Sequence, residues 1–169
     1  TQGGLSVAEV REYWAQGGRG ALCTQGDKLV GYTWYMPDPC TVFGWIRVVP
    51  HPAVYAAAAY VAPEFRGRRL HMETRNFAYP ALADLGYTGI VSFVEHFNRS
   101  SMRTGKDSPR RYTGRLTYVR LLGLVVYRLD GKWGAGFWNR ARPFELSFDV
   151  FDRQNFRLKH KHATSALNE

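Results

Sequence analysis

One segment restricts the fold of this chain more than any other. An apolar run from Val54 to Val61 lies between Pro52 and Pro63 and includes four consecutive alanines. Alanine favours helices, but the run is short and proline bounds it on both sides. We therefore expect a strand closely flanked by other backbone. Residues 61–71 then form a basic, glycine-containing turn, and such a turn before a helix suits a phosphate group.

The segments after this turn predict a strand–helix–strand unit. Leu70 to Leu85 has helical spacing and ends at Gly86, with a kink expected at Pro80. Gly89 to Val94 is a continuous apolar strand. Such a unit implies a parallel pair. We predict a mixed α/β fold, with helices on both faces of a central, mainly antiparallel sheet of about six or seven strands that contains one splayed parallel pair.

Capping and turn signals predict the elements around this unit. Ser6 and Glu9 form a capping-box pattern that begins a helix, and Gln25 to Lys28 is the turn of a hairpin. Further expectations are a strand or irregular crossing over 41–49, a short helix over 98–104 capped by Asn98, a long strand over 116–129 with a bulge at Gly123, and an alternating strand over 144–150.

Length and composition place the chain among ordinary globular proteins. Its 169 residues suggest a single domain over 1–169, and no apolar run is long enough to span a membrane. The first residue is Thr1, so we expect the N-terminus to be processed or cut. Cys23 and Cys40 are isolated and are expected to be reduced bystanders in a cytoplasmic protein.

The positive charge is clustered and raises the odds of a polyanionic partner. The formal net charge is +9, which suits nucleic acid, an anionic membrane or a phosphate-rich cofactor. The clusters lie at Arg66–Arg69, at 106–115 and at 157–162, and the last begins a basic tail over 157–169.

The stretch Val61-Ala62-Pro63-Glu64-Phe65-Arg66-Gly67-Arg68 resembles the cofactor turn of the GNAT family of acyl-CoA-dependent N-acyltransferases. The hairpin around Asp27 to Tyr32 and the asparagine at 98 fit the same family, so the resemblance covers roughly residues 19–130. Two positions depart from it. Arg69 stands where the family has glycine, and His71 where it has glycine or alanine.

The resemblance implies an acyltransferase that uses acetyl-CoA or another acyl-CoA as co-substrate and no metal. Backbone amides from Gly67 onwards would hold the CoA pyrophosphate, an arginine would pair with phosphate, and Val61 and Asn98 would contact the pantetheine arm. The implied binding residues are Val61, Arg66, Gly67, Arg68, Arg69, Leu70, His71, Asn98 and Ser101.

Acyl transfer to an amine requires that the amine lose a proton and that the thiolate leave. Glu95 or His96, expected at the end of the strand beside the thioester, would accept the proton, and Tyr112 would protonate the sulfur. Each of these three residues has an alternative interpretation as a packed or hydrogen-bonded structural residue. Water molecules could also relay the protons in place of these side chains.

Three functions therefore compete. The first is an N-acyltransferase acting on a primary amine of a small molecule or peptide. The second is a catalytically degenerate GNAT fold that binds CoA, which Arg69 and His71 motivate. The third is a basic nucleic-acid-binding module, which the absence of a stacking or recognition motif disfavours. The aromatic C-terminal third, from Trp133 to Phe156, predicts core plus a homodimer surface, with an apolar acceptor or acyl pocket as the alternative.

Overall fold

A computed structural model describes residues 4–37, 40–42, 46–50, 52–106, 114–137 and 148–149 of the chain. The chain divides into two compact units. The first comprises Thr1–Cys40 and Val49–Phe93, and the second comprises Thr41–Val48 and Val94–Glu169. The basic tail over 157–169 and most of the expected strand over 144–150 lie outside the described residues.

The first unit is built on a four-stranded sheet, called here the first sheet. Its strands are β1 (Arg19–Gln25), β2 (Lys28–Met36), β5 (Ala53–Val61) and β6 (Gly89–Val91), in the order β1-β2-β5-β6. The first two form the predicted antiparallel hairpin, in which Gln25 pairs with Lys28 across a two-residue turn. Gly26 in that turn has φ 57°, a conformation that glycine adopts at little cost.

The alanine-rich run is the strand that the sequence predicts. β5 pairs antiparallel with β2, but Trp34 faces Ala58 while Tyr35 faces Ala56. Ala57 therefore has no partner on β2, and β5 carries a bulge of one extra residue at this point.

Helices cover both faces of the first sheet. α2 (Leu70–Asp84) packs Ala78 and Leu82 against Tyr35 of β2, in a cluster completed by Ala21 and Val54. Side chains alternate along a strand, so Trp34 points to the opposite face. There its ring lies 5.8 Å from that of Tyr13 in α1 (Val7–Ala15).

The parallel pair is short and then separates. β6 pairs with β5 only from Ala53–Gly89 to Tyr55–Val91, while β5 continues to Val61. The predicted splay is therefore confirmed. The predicted strand over 89–94 is too long, because residues 92–95 form no strand.

The second unit contains two three-stranded sheets. In the second sheet the order is β10 (Phe148–Asp149), β4 (Ile46–Val49) and β3 (Cys40–Val42). The third sheet is an antiparallel meander of β7 (Leu116–Leu121), β8 (Leu124–Leu129) and β9 (Lys132–Phe137). A short helix, α3 (Arg99–Lys106), precedes the meander.

The third sheet corrects one prediction from the sequence. Residues 116–129 are two strands of a hairpin rather than one long strand, and Gly123 lies in the turn rather than in a bulge. Leu122 and Gly123 both have positive φ, 49° and 84°, as a tight two-residue hairpin turn requires. The mixed α/β class and the parallel pair are confirmed, with the described strands distributed over three sheets.

Candidate functional site

The basic turn begins where β5 ends and finishes at the N-terminus of α2. A 3-10 turn over Pro63–Phe65 follows the strand, and Arg66 to Arg69 then lead into the helix at Leu70. Gly67 has φ 78°, a left-handed conformation that strongly favours glycine. A Cβ atom on Gly67 would have nothing within 4 Å. The backbone at Gly67 is therefore open to approach by a ligand.

Arg69 adopts an unusual backbone conformation for its residue type. It caps α2 with φ 60° and ψ 11°, in the left-handed region, and its side chain makes no capping hydrogen bond. Its carbonyl oxygen accepts from the amides of Met72 and Glu73, at 2.8 and 3.2 Å. A non-glycine residue there costs about 1–2 kcal/mol. The conformation gives a physical reason why glycine suits this position.

A cation on the neighbouring strand holds the first half of the turn. Lys28 Nζ lies 2.7 Å from Glu64 Oε1, and this hydrogen bond lowers the pKa of the Glu64 carboxyl. The Phe65 ring has Lys28 Nζ 5.7 Å from its centroid and the Arg68 guanidinium 5.2 Å from it. Sequence reasoning missed Lys28, because only the antiparallel pairing of β2 with β5 brings it to the turn.

Arg66 is engaged with the strand that precedes it. Its Nε donates to the carbonyl oxygen of Val61 at 3.1 Å, the backbone expected to contact the pantetheine arm. A carbonyl has two lone pairs, so this bond leaves an acceptor direction at Val61. Leu70 and His71 are half-buried in the first turn of α2.

The turn carries positive charge and the positive end of a helix dipole. Arg66, Arg68 and Arg69 are all exposed, and the first amides of α2 point back toward them. Backbone donors, a helix N-terminus and exposed guanidinium groups together suit a phosphate or pyrophosphate group. This arrangement lies wholly within the first unit.

The segment after β6 holds the remaining predicted site residues. Glu95 and His96 are exposed and follow the strand in a loop, whereas the sequence predicted them at its end. Asn98 begins α3, as predicted, and its Oδ1 accepts from the amide of Ser101 at 3.1 Å. The amide of Asn98 in turn donates to the carbonyl oxygen of Glu95 at 2.9 Å.

These four residues form one local loop structure in the second unit. The side-chain amide of Asn98 has two further donors for a ligand. Tyr112 lies outside the described residues. In the part of the chain that the structure describes, no three His, Cys, Asp or Glu side chains are grouped as a metal site. Within the same residues no helix has the length and hydropathy to cross a membrane.

Comparison with known proteins rests on structure. No protein-family model matches the sequence, and no curated protein matches it either. A similar solved structure is AAC(6')-Iy in complex with the bisubstrate analogue CoA-S-monomethyl-acetylneamine. It has 15% identity and a TM-score of 0.54, and the match covers 71% of this chain and 82% of that one.

Two further aminoglycoside 6'-N-acetyltransferases have the same architecture. AAC(6')-IG from Acinetobacter haemolyticus has 15% identity and a TM-score of 0.55, with 68% of this chain and 78% of that chain covered. AAC(6')-Ih from Acinetobacter baumannii has 16% identity and a TM-score of 0.53, with the same coverage of both chains. The splayed parallel pair, the basic glycine turn and these structural matches together show that the chain has the GNAT fold.

Proposed function

We propose that the protein is an N-acyltransferase that transfers an acetyl or other acyl group from acyl-CoA to a primary amine. The observation that carries the proposal is the turn between β5 and α2, where Gly67 is open on its ligand side and three exposed arginines stand beside a helix N-terminus. CoA has a pyrophosphate and a ribose phosphate, which are the groups that such a turn recognises.

Each part of the turn has a distinct proposed role in binding. The amides of Gly67 and of the first turn of α2 donate to the pyrophosphate, and Arg68 or Arg69 pairs with phosphate oxygens. Arg66 holds the carbonyl of Val61 in place, and this orients the end of β5 for the pantetheine arm.

The chemistry requires little of the protein beyond positioning and proton transfer. The amine nitrogen attacks the thioester carbonyl, an N–C bond forms and the C–S bond breaks. The amine proton passes to a base, and the departing thiolate takes up a proton. We assign the base to Glu95 or His96, directly or through water, and the sulfur protonation to Tyr112.

The acceptor proposed here is a small molecule with a primary amine. The similar structures are aminoglycoside 6'-N-acetyltransferases, and one of them holds an acetylneamine portion in its bisubstrate analogue. At 15% identity, such likeness supports the amine class and leaves the particular acceptor to experiment.

A second candidate is a GNAT fold that binds CoA without turnover. Arg69 and the half-buried His71 place large side chains where the family has small ones, and Arg69 does so in a strained backbone conformation. Acetyl-CoA turnover with a panel of primary amines distinguishes the two functions. Free thiol released in proportion to acetylated amine supports the enzyme, whereas binding without release supports the degenerate fold.

The test of the cofactor site is Gly67→Asp, with acetyl-CoA binding measured by calorimetry. A carboxylate at this position opposes the pyrophosphate and removes the open approach, so we expect affinity to fall by about 10- to 100-fold, as for loss of one charged hydrogen bond.

The matched control is Gly26→Asp in the β1–β2 turn. Gly26 also has positive φ and also has nothing within 4 Å of a Cβ position, so the backbone strain and the added charge are comparable. Affinity should stay at the parental value in this variant. Equal binding by folded Gly67→Asp and the parent would place the CoA site elsewhere.

A further inference from the structure

One aromatic ring in the basic turn has three charged side chains around it. Lys28 Nζ lies 5.7 Å from the centre of the Phe65 ring, and the Arg68 guanidinium lies 5.2 Å from it. Glu64 Oε1 in turn lies 2.7 Å from Lys28 Nζ. These four residues, called here the Phe65 cluster, all belong to the first unit. The cluster therefore joins strand β2 to the turn that leads into α2.

The three arginines of the turn differ in what holds their side chains. Arg66 donates from Nε to the carbonyl oxygen of Val61 at 3.1 Å. The Arg69 side chain has no partner among the described residues, so nothing there restricts its guanidinium. Arg68 likewise makes no hydrogen bond or ion pair with the described side chains, but its guanidinium is held at the Phe65 ring. Arg68 therefore combines a restricted position with donors that are available to a ligand.

The Phe65 ring restricts Arg68 without using its hydrogen-bond donors. A cation within about 6 Å of a ring centre is attracted to the face of the ring. The N–H groups of a guanidinium lie in its own plane, so a ring beside that plane leaves them for an anion. A side chain that is already held loses less conformational freedom when it binds a ligand. Arg68 is therefore preorganised for an anionic group.

The Glu64 carboxylate is the natural competitor for Arg68 in this turn. A carboxylate and a guanidinium form strong charge-assisted hydrogen bonds, and the two residues are four positions apart. Lys28 Nζ instead donates to Glu64, and this bond lowers the pKa of the Glu64 carboxyl. The Lys28 and Glu64 side chains are 63% and 53% exposed, and an exposed ion pair adds little to stability. The pair is better explained by how it distributes charge around Arg68.

We propose that Arg68, held by Phe65, binds the ribose phosphate of CoA, and that Lys28 prevents Glu64 from competing for it. This inference rests on the proposed acyl-CoA function. The backbone amides from Gly67 into α2 suit the pyrophosphate. The ribose phosphate is a monoester with about two negative charges at neutral pH, so a planar cation with several donors suits it. Phe65 and Lys28 are positioning residues, because each acts through Arg68.

The test compares CoA with dephospho-CoA, which lacks only the ribose phosphate, by calorimetry on the full chain. The ratio of the two Kd values measures recognition of that phosphate, and changes at the pyrophosphate cancel in it. The parent should bind CoA about 10-fold more tightly, as for one charged hydrogen bond, and Arg68→Gln should bring the ratio to about 1. The matched control is Arg69→Gln in the same turn, which should change both Kd values by one factor and keep the parental ratio.

Substitutions at the two positioning residues test how Arg68 is held. Phe65→Leu keeps an apolar side chain but removes the ring, so the ratio should fall about 2- to 5-fold. Lys28→Met releases Glu64 and should lower the ratio by about the same factor, whereas Lys28→Arg keeps the charge and should preserve it. The double variant Lys28→Met/Glu64→Gln should regain the parental ratio, because the competing carboxylate is gone. An ion pair with a merely structural role would show no such recovery.

The outcomes separate this inference from the proposed function. Equal Kd values for CoA and dephospho-CoA in the parent would overturn the inference and leave the proposed function intact. Binding of neither compound would overturn the proposed cofactor site and the inference with it. A ratio that falls in Arg69→Gln but not in Arg68→Gln would overturn the assignment of Arg68. A Lys28→Met loss that Glu64→Gln does not reverse would overturn the role of Lys28.

Discussion

The first and third sheets differ in what covers them. The first sheet buries Tyr35 under α2 on one face and Trp34 under α1 on the other. The third sheet buries Tyr127 on one face and exposes Val119 and Phe137 on the other. A sheet covered by helices on both faces holds most of its stabilising contacts within itself. A sheet with one apolar face exposed has capacity for a further contact.

The two sheets therefore offer different places for further contacts. In the first sheet Tyr35 and Trp34 are buried under helices, and the candidate site lies at a strand end, where β5 continues beyond β6 and leads to the turn at Gly67. In the third sheet, one whole face carries apolar side chains that are exposed, among them Val119 and Phe137. Substitutions in the two sheets should therefore have different consequences for stability.

The largest expected difference comes from truncating one apolar side chain in each sheet. Tyr35 is 1% exposed, so Tyr35→Ala should lower the free energy of unfolding by about 3–5 kcal/mol. Val119→Ala should change it by no more than about 0.5 kcal/mol. Urea unfolding of dilute protein measures both values. A large loss from Val119→Ala would contradict the comparison and show that the Val119 side chain is packed in the folded protein.

A smaller difference is expected from adding one methyl group beside an aromatic ring. A Cβ at Gly134 would fall on the ring of Tyr127, which is 2% exposed and cannot move aside freely. Gly134→Ala should therefore cost about 1–3 kcal/mol. A Cβ at Gly20 would lie 3.3 Å from the Trp34 ring, a contact that a small shift relieves.

Gly20→Ala is the matched variant in the first sheet, and it should be close to neutral. Its small steric cost opposes a gain of about 0.4–1 kcal/mol from restricting the unfolded chain. Thermal unfolding of the two variants compares them directly. If both cost the same, the buried face of the third sheet is packed more loosely than the structure indicates.

The smallest expected effect is a pH dependence at Tyr35. Burial raises the pKa of this phenol to about 12, while the unfolded chain keeps a value near 10. Between these values the unfolded state loses a proton that the folded state retains, so stability is complete below pH 10 and falls as the pH rises to about 12. At pH 11 the loss from this group is about 1 kcal/mol.

Tyr35→Phe should remove that loss and leave stability at pH 8 nearly unchanged, because the hydroxyl has no hydrogen-bond partner among the described residues. Burial also raises the pKa of Tyr127, so Tyr127→Phe should act in the same direction in the third sheet. Urea unfolding at pH 8 and pH 11 measures both. If Tyr35→Phe and the parent lose the same free energy of unfolding between pH 8 and pH 11, the Tyr35 phenol ionises as readily in the folded protein as in the unfolded chain.

Local signals explain which elements the sequence predicted well. Pro52 and Pro63 bound β5, and Gly67 marks the turn before α2, so the sequence predicts all three elements. Ser6 and Glu9 form the expected capping box, with both reciprocal hydrogen bonds present. Each of these residue types has a well-defined local role, and the structure shows the residue in that role.

Other features depended on partners distant in sequence or on atypical residues. Leu122 adopts positive φ although leucine is uncommon in such turns, so residues 116–129 resembled one strand. Lys28 reaches Glu64 across 36 positions, and no local pattern marks that pair. The capping position of Asn98 followed from its motif, but the loop that holds Glu95 and His96 depends on where β6 stops pairing.

The bulge at Ala57 has a consequence for insertions and deletions. β5 has one residue more than its partner strand needs between Tyr55 and Val61, and side chains alternate with a period of two. Deleting Ala57 would regularise the ladder and leave Ala58 to Val61 opposite their present partners on β2, so each of these side chains keeps its face. The run of four alanines should therefore tolerate the loss of one alanine, whereas the gain of one would leave two residues of β5 without partners on β2.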